Sequence, residues 1–203
     1  MLEKILNSAA LILGVANGLF LLYFYLRDKP KLKVVAVHME ANQFWFKLSD
    51  GVYNNQPTRR YGFFAYIGIS NRGLRDVSLT SWHLRIKTRN FTKYDLMPQS
   101  IPEPTFKLGN SENNKILPVL GIRGVFHDGE TNIKSGSSIG GTAFYILESR
   151  GSDAWDPLIE DDKIRATMIV TDVFGKTNSC EIFFRKRTTE DIEKLLPDLL
   201  KVQ

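Results

Sequence analysis

The chain has 203 residues, 43% hydrophobic and 24% charged, with 13 Phe, 7 Tyr and 3 Trp. That is the composition of a folded protein rich in β-forming residues, not of a disordered one. A net charge of +5, not gathered in one block, gives no reason to expect nucleic acid as a partner, and the single cysteine excludes an internal disulfide framework and fits a reducing compartment.

After a short tail of residues 1–4, the 22 residues Ile5 to Leu26 carry no charge. As a helix they extend roughly 33 Å, enough to cross a hydrocarbon core of about 30 Å. The run ends in Tyr23-Phe24-Tyr25-Leu26-Arg27, too bulky for a signal-peptide cleavage site, so residues 5–26 are predicted to be an uncleaved transmembrane helix. Within it Asn7, Ala10, Gly14, Asn17 and Gly18 fall in an arc of about 100°. Ala10-xxx-Gly14-xxx-Gly18 is a small-residue ridge that lets a second helix approach closely, and the two amides can hydrogen-bond across such a pair. An amide turned toward lipid is costly. These five residues are therefore expected to meet a partner helix, from a second copy or from another membrane protein.

Residues 27–33 form a basic juxtamembrane segment, with Arg27, Lys29, Lys31 and Lys33 placed to meet lipid headgroups. Only Lys4 and the α-amine precede the span. The positive-inside bias then predicts a single-pass protein with its soluble part in the cytoplasm, as at a bacterial inner membrane.

From residue 34 to 187 the hydrophobic pattern has period two, in short runs bounded by turn residues. Predicted strands are Leu32–Met39, Gln43–Ser49, Tyr61–Ser70, Asp76–Thr88, Phe91–Leu96, Leu117–Phe126, Thr142–Glu148, Lys163–Thr171 and Thr177–Arg185. With no helical runs between them, they predict an all-β domain: an antiparallel β-sandwich, or alternatively a closed β-barrel. Cys180 alternates with Ile182 and Phe184 and reads as a core residue.

Three stretches carry a resemblance: Tyr66 to Leu79 with the turn Asn71-Arg72-Gly73, Ile133 to Phe144 with Gly136 and Gly140, and Ile169 to Thr177 with Asp172-Val173-Phe174-Gly175-Lys176. In these the chain resembles uncharacterised bacterial single-pass membrane-anchored proteins with an immunoglobulin-like β-sandwich. The resemblance implies a fold, spans roughly residues 32–187, and brings no active site.

Two connections are too long for hairpins. Met97–Pro118 carries Pro102 and Pro104, and Ser149–Asp162 carries Trp155; connections of this length are usually functional or disordered, and these three residues are candidate partner contacts, with the Trp155 loop alternatively expected to fold back as a plug over the end of the sandwich. Residues 188–203 begin with a threonine cap and acids, then place Ile192, Leu195, Leu196, Leu199 and Leu200 on one stripe, interrupted by Pro197. This predicts a short C-terminal amphipathic helix packed on the domain, or lying on the membrane or another subunit.

No motif for a cofactor or metal emerges. His38, His83 and His127 lack ligand spacing, Gly175-Lys176-Thr177 lacks the leading glycine of a phosphate loop, and the acids of residues 153–162 miss the order of a calcium loop. The expected function is therefore a non-enzymatic, membrane-anchored β module for protein interaction or self-assembly. The alternatives are a sensor whose β domain binds a small molecule such as a nucleotide and whose helices rearrange to perturb the membrane, and an enzyme using His38 and Glu40 or the acidic loop.

Overall fold

A computed structural model describes residues 2–37, 43–99, 107–108, 115–116, 132–195 of the chain. The N-terminal helix α1 runs Leu2–Arg27, and its stretch Ala9–Arg27 is long and apolar enough to cross a membrane, with none of it buried against the rest of the molecule. The strands follow as β1 (Leu32–Ala36), β2 (Phe44–Lys47), β3 (Gly51–Tyr53), β4 (Gln56–Asn71), β5 (Val77–Lys87), β6 (Lys93–Leu96), β7 (Lys107–Leu108), β8 (Lys115–Ile116), β9 (Asn132–Ile133), β10 (Ser138–Arg150), β11 (Lys163–Asp172) and β12 (Thr177–Lys186). A short helix α2, Thr189–Leu195, closes the described chain.

Ten strands share one open, mixed sheet, and β7 pairs with β8 apart from it. The main path is β1-β4-β2-β12-β11-β5-β6, with β10 and β3 also on β4 and β9 on β5. This corrects the expectation of a purely antiparallel sandwich. β2 lies parallel to β12, Arg185 N–H donating to the Gln43 carbonyl (3.1 Å) and Arg187 N–H to that of Trp45 (2.9 Å), so the two halves are joined by backbone bonds. The barrel alternative is also not formed. Among the described residues one isolated bridge, Gln99 to Phe144, links the chain after β6 to β10, and no ladder closes the sheet there.

The core follows from alternation. Phe63, Ala65, Ile67 and Ile69 of β4 point the same way as Ala143, Tyr145 and Leu147 of β10, and they share one buried cluster with Trp82, Leu84 and Ile86 of β5, Met168 and Val170 of β11, and Ile182 and Phe184 of β12. Residues four strands apart in the sheet thus touch, so the sheet coils over its own inner face. The other face of β2, β4 and β10 is buried too: Phe44 stacks on Phe64 (4.9 Å) and Phe46 on Phe144 (6.1 Å). Gly62 makes room for this, since a Cβ there would lie 2.7 Å from the Phe46 ring. Double burial explains the continuous apolar run Gly62-Phe63-Phe64-Ala65, which does not alternate.

Between β1 and β2 the buried Gln43 stands in for a strand. Its Nε2 donates to the carbonyls of Val37 (3.0 Å) and Tyr66 (2.6 Å), and its Oε1 accepts from Tyr66 N–H (3.1 Å). The strand β3, not foreseen, turns into β4 through Asn54-Asn55, both at positive φ (50° and 60°), the signature of a tight primed turn that Asn tolerates. Helix α2 is capped by Thr188 Oγ1, which accepts from Asp191 N–H (3.2 Å), and its first turn buries Ile192 completely. The predicted strand 117–126 and the stripe beyond Leu195 lie outside the described residues.

Candidate functional site

The ladder registers gather four chain connections at one end of the sheet. Leu32 pairs with Asn71, Ser138 with Ser70, Val77 with Ile133, and Asp172 with Leu79. The exit of α1, the turn 71–76, the turn 134–137 and the hairpin 173–176 therefore lie together.

At that end the linker from α1 is clamped. The buried Asn71 side chain donates from Nδ2 to the carbonyls of Arg75 (2.7 Å) and Ile133 (3.1 Å), and its Oδ1 accepts from Gly73 N–H (3.0 Å) and Lys31 N–H (3.3 Å). Arg72 N–H donates to the Lys31 carbonyl (2.8 Å). A Cβ at Gly73 would lie 2.7 Å from both Pro30 Cα and Lys31 N and would also strike the Lys29 carbonyl, so only glycine lets the linker lie this close. Ser135 Oγ donates to the Gly73 carbonyl and Ser135 N–H to Asp76 Oδ1, each at 2.8 Å. The Asn-x-Gly turn is thus a seat for Lys29-Pro30-Lys31, which its turn signature alone does not reveal.

The expected headgroup residues Arg27, Lys29, Lys31 and Lys33 are exposed on this approach. Arg27 lies over the Phe24 ring (4.7 Å) and Lys29 over Tyr25 (5.0 Å), so the end of α1 pairs aromatic rings with cations as at a membrane interface. On α1, Asn7, Ala10, Gly14, Asn17 and Gly18 are exposed, and a Cβ at Gly14 or Gly18 would meet nothing within 4 Å.

A second cluster lies at the opposite end. Buried Asp156 accepts from Arg59 Nε (2.8 Å to Oδ1, 3.1 Å to Oδ2) and from Ser149 Oγ (2.5 Å). Arg59 also donates to the carbonyls of Gly151 and Ser152, each at 3.0 Å. Burial opposes ionisation of Asp156, but the hydrogen bonds from Ser149, Arg59 and Tyr61 outweigh it and hold the carboxyl below its ordinary range. Burial, aided by Asp156, pushes the Tyr61 hydroxyl up to about 12. This latch fixes the loop carrying Trp155, whose ring meets Tyr94 edge-on at 6.3 Å and is 41% exposed. A shallow depression of about 330 Å³ lies beside it, lined by Tyr94, Leu147, Glu148, Ser149, Arg150 and Trp155. Of the three expected partner contacts the structure places Trp155 at a defined surface; Pro102 and Pro104 lie outside the described residues. The latch was missed because Arg59 and Asp156 are 97 positions apart, with no pattern linking them.

The outer face of β5, β11 and β12 carries a groove of about 470 Å³ whose lining includes Arg85, Lys87, Lys93, Lys163 and Arg165. Arg85 is held by Asp95 (2.6 Å) and Arg165 by Glu181, which removes two of those charges. His83 lies 3.6 Å from the same Asp95. Cys180 packs half-buried against the core, and burial, partly offset by the Ala36 backbone, pushes its thiol up to about 11, far from a nucleophile's range. No group of metal-ligating side chains forms among the described residues. His38, Glu40 and His127 lie outside them.

No family model matches the chain, and no curated protein does. Among solved structures it is similar to an X-ray structure of a Northeast Structural Genomics Consortium target, at 13% identity and a TM-score of 0.33, over 79% of this chain and 89% of that one. It is also similar to a Bordetella pertussis protein described as ApaA, at 11% identity and a TM-score of 0.32, over 78% and 96%.

Proposed function

We propose that this chain is a non-enzymatic, membrane-anchored β module that assembles with a second copy through α1 and offers its soluble surface to a protein partner. In this reading α1 spans the membrane once and the β domain lies in the cytoplasm of a bacterium, on the side of Arg27, Lys29, Lys31 and Lys33. The observation that carries it is the clamp on the linker. A passive tether needs no seat. Here Lys29-Pro30-Lys31 is bonded into the sheet through Asn71, Arg72 and Gly73, so the domain is held to its helix and helix pairing would bring two domains together in a defined attitude. Such tethering raises the effective concentration of the soluble surfaces, and the depression beside Trp155 is the contact proposed there.

A disulfide-linking scan of the full-length protein in membranes tests this, with Cys180→Ala as the background. Ala10→Cys, Gly14→Cys and Gly18→Cys are expected to link into dimers, and Ile12→Cys and Leu19→Cys on the far side of the helix are not. Equal linking at all five positions, or none, refutes the pairing.

A second reading, a sensor of a phosphate-bearing small molecule, is supported by the basic groove on β5, β11 and β12. A thermal-shift screen with nucleotides separates the two readings: a saturable rise in the melting temperature that Lys93→Glu and Lys163→Glu abolish supports the sensor, and none is expected of the adaptor.

A further inference from the structure

The turn 71–76 and the hairpin 173–176 each push large apolar side chains into solvent. Leu74 is 59% exposed, Val173 50% and Phe174 62%. Both connections lie at the end of the sheet where α1 enters. The hairpin is tied to the start of β5 by Val173 N–H donating to the Ser78 carbonyl (3.0 Å), just beyond the turn that carries Leu74. Neither tip is loose. Buried Asp172 accepts at Oδ1 from the N–H groups of Phe174 and Lys176 (2.9 Å each), and Gly175 at φ +75° completes the turn. The other turn is held by Asn71 and Asp76, as described above.

Charge at this end is predominantly basic. Arg72 and Arg75 flank Leu74, Lys134 follows β9, and all three are exposed. The distance to the bilayer is bounded by the chain itself. From Arg27, the end of α1, to Lys31, which bonds Asn71 and Arg72, there are four Cα steps, at most about 15 Å. Leu74 lies three residues past Asn71, so exposed apolar groups ringed by cations stand within reach of the headgroup layer that α1 must leave.

From this continuity and charge, we propose that the domain docks end-on against the leaflet from which α1 emerges, inserting Leu74, Val173 and Phe174 among acyl chains while Arg72, Arg75 and Lys134 meet anionic headgroups. The docking rests on the reading of α1 as a membrane span and goes beyond it. The four-residue linker alone would permit a domain standing off in water; the docked domain is a second, independent membrane contact.

The test uses the full-length protein in phosphatidylglycerol vesicles, in the Cys180→Ala background, with an environment-sensitive fluorophore at Leu74→Cys, Phe174→Cys or Val52→Cys. Val52, on β3 and 77% exposed, lies at the opposite end of the sheet. Nitroxide-bearing lipids are expected to quench the label at 74 and 174 several-fold more than at 52. Adding Arg72→Glu and Arg75→Glu should weaken that quenching while the protein still co-floats with the vesicles. Co-flotation with equal quenching at all three positions overturns the docking alone; loss of co-flotation overturns the span and the docking together.

Discussion

At the scale of single residues, the clamp depends on Asn71 and Gly73. Asn71 satisfies two backbone carbonyls and two backbone N–H groups with one amide. Asn71→Ala leaves all four without that partner, and the two at buried bonds, the Ile133 carbonyl and Gly73 N–H, cost about 1–3 kcal/mol each when they cannot find water. Thermal melting of the full-length protein in detergent micelles should show a clear loss of stability. Gly73→Ala drives a Cβ into linker backbone, which cannot swing aside as a flexible side chain can. Its expected effect is specific: expulsion of the linker gives faster tryptic cleavage after Lys31, with the core melting nearly unchanged. Asp156 predicts a pH dependence. Its folded-state pKa lies below the ordinary range of an aspartate, so the stability it supplies is present at neutral pH and is lost as the pH falls through the lowered folded value. Asp156→Asn should lower the melting temperature at pH 7, by the equivalent of about 1–3 kcal/mol, and flatten its decline in acid.

At the scale of elements, β4 organises the molecule, pairing with β10 along nearly its whole length and with β1, β2 and β3 on its other side. Both its faces are buried around Gly62, where the Phe46 ring fills the space of a missing side chain. Gly62→Ala is therefore expected to destabilise by about 1–3 kcal/mol through overpacking, measurable by chemical denaturation. The strand pattern was largely legible: β5, β11, β12 and the hairpin between the last two follow from alternation and from Asp172 and Gly175. The start of β4 was not, because Gln56-Pro57-Thr58-Arg59-Arg60 shows no apolar period; it is held by its ladders to β3 and β10 and by Arg59 bonding Asp156 across the fold. The parallel contact of β2 with β12 was equally invisible, since side-chain periodicity says nothing about which strands become neighbours. The Asn-x-Gly turn was readable as a turn, but its role as a seat depends on a backbone approach by residues 29–31 that no local pattern encodes.

At the scale of the whole molecule, an apolar helix and a coiled sheet meet in one bonded junction. Ala10, Gly14 and Gly18 are exposed, a Cβ at either glycine would meet nothing within 4 Å among the described residues, and the clamp would couple whatever the helix meets to the attitude of the domain. Small-residue helix pairs supported by amides are worth about 0.6–2 kcal/mol per hydrogen bond, enough to bias assembly in a membrane without making it irreversible. The most direct measurement is energy transfer between donor- and acceptor-labelled full-length protein in vesicles, diluted with increasing lipid. Transfer should persist above the level of random proximity in the wild type, disappear on adding unlabelled wild-type protein, and fall to the random level in the Gly14→Leu, Gly18→Leu double variant. Transfer that tracks lipid dilution alone in the wild type, or that survives unchanged in the double variant, would contradict assembly through this face of α1.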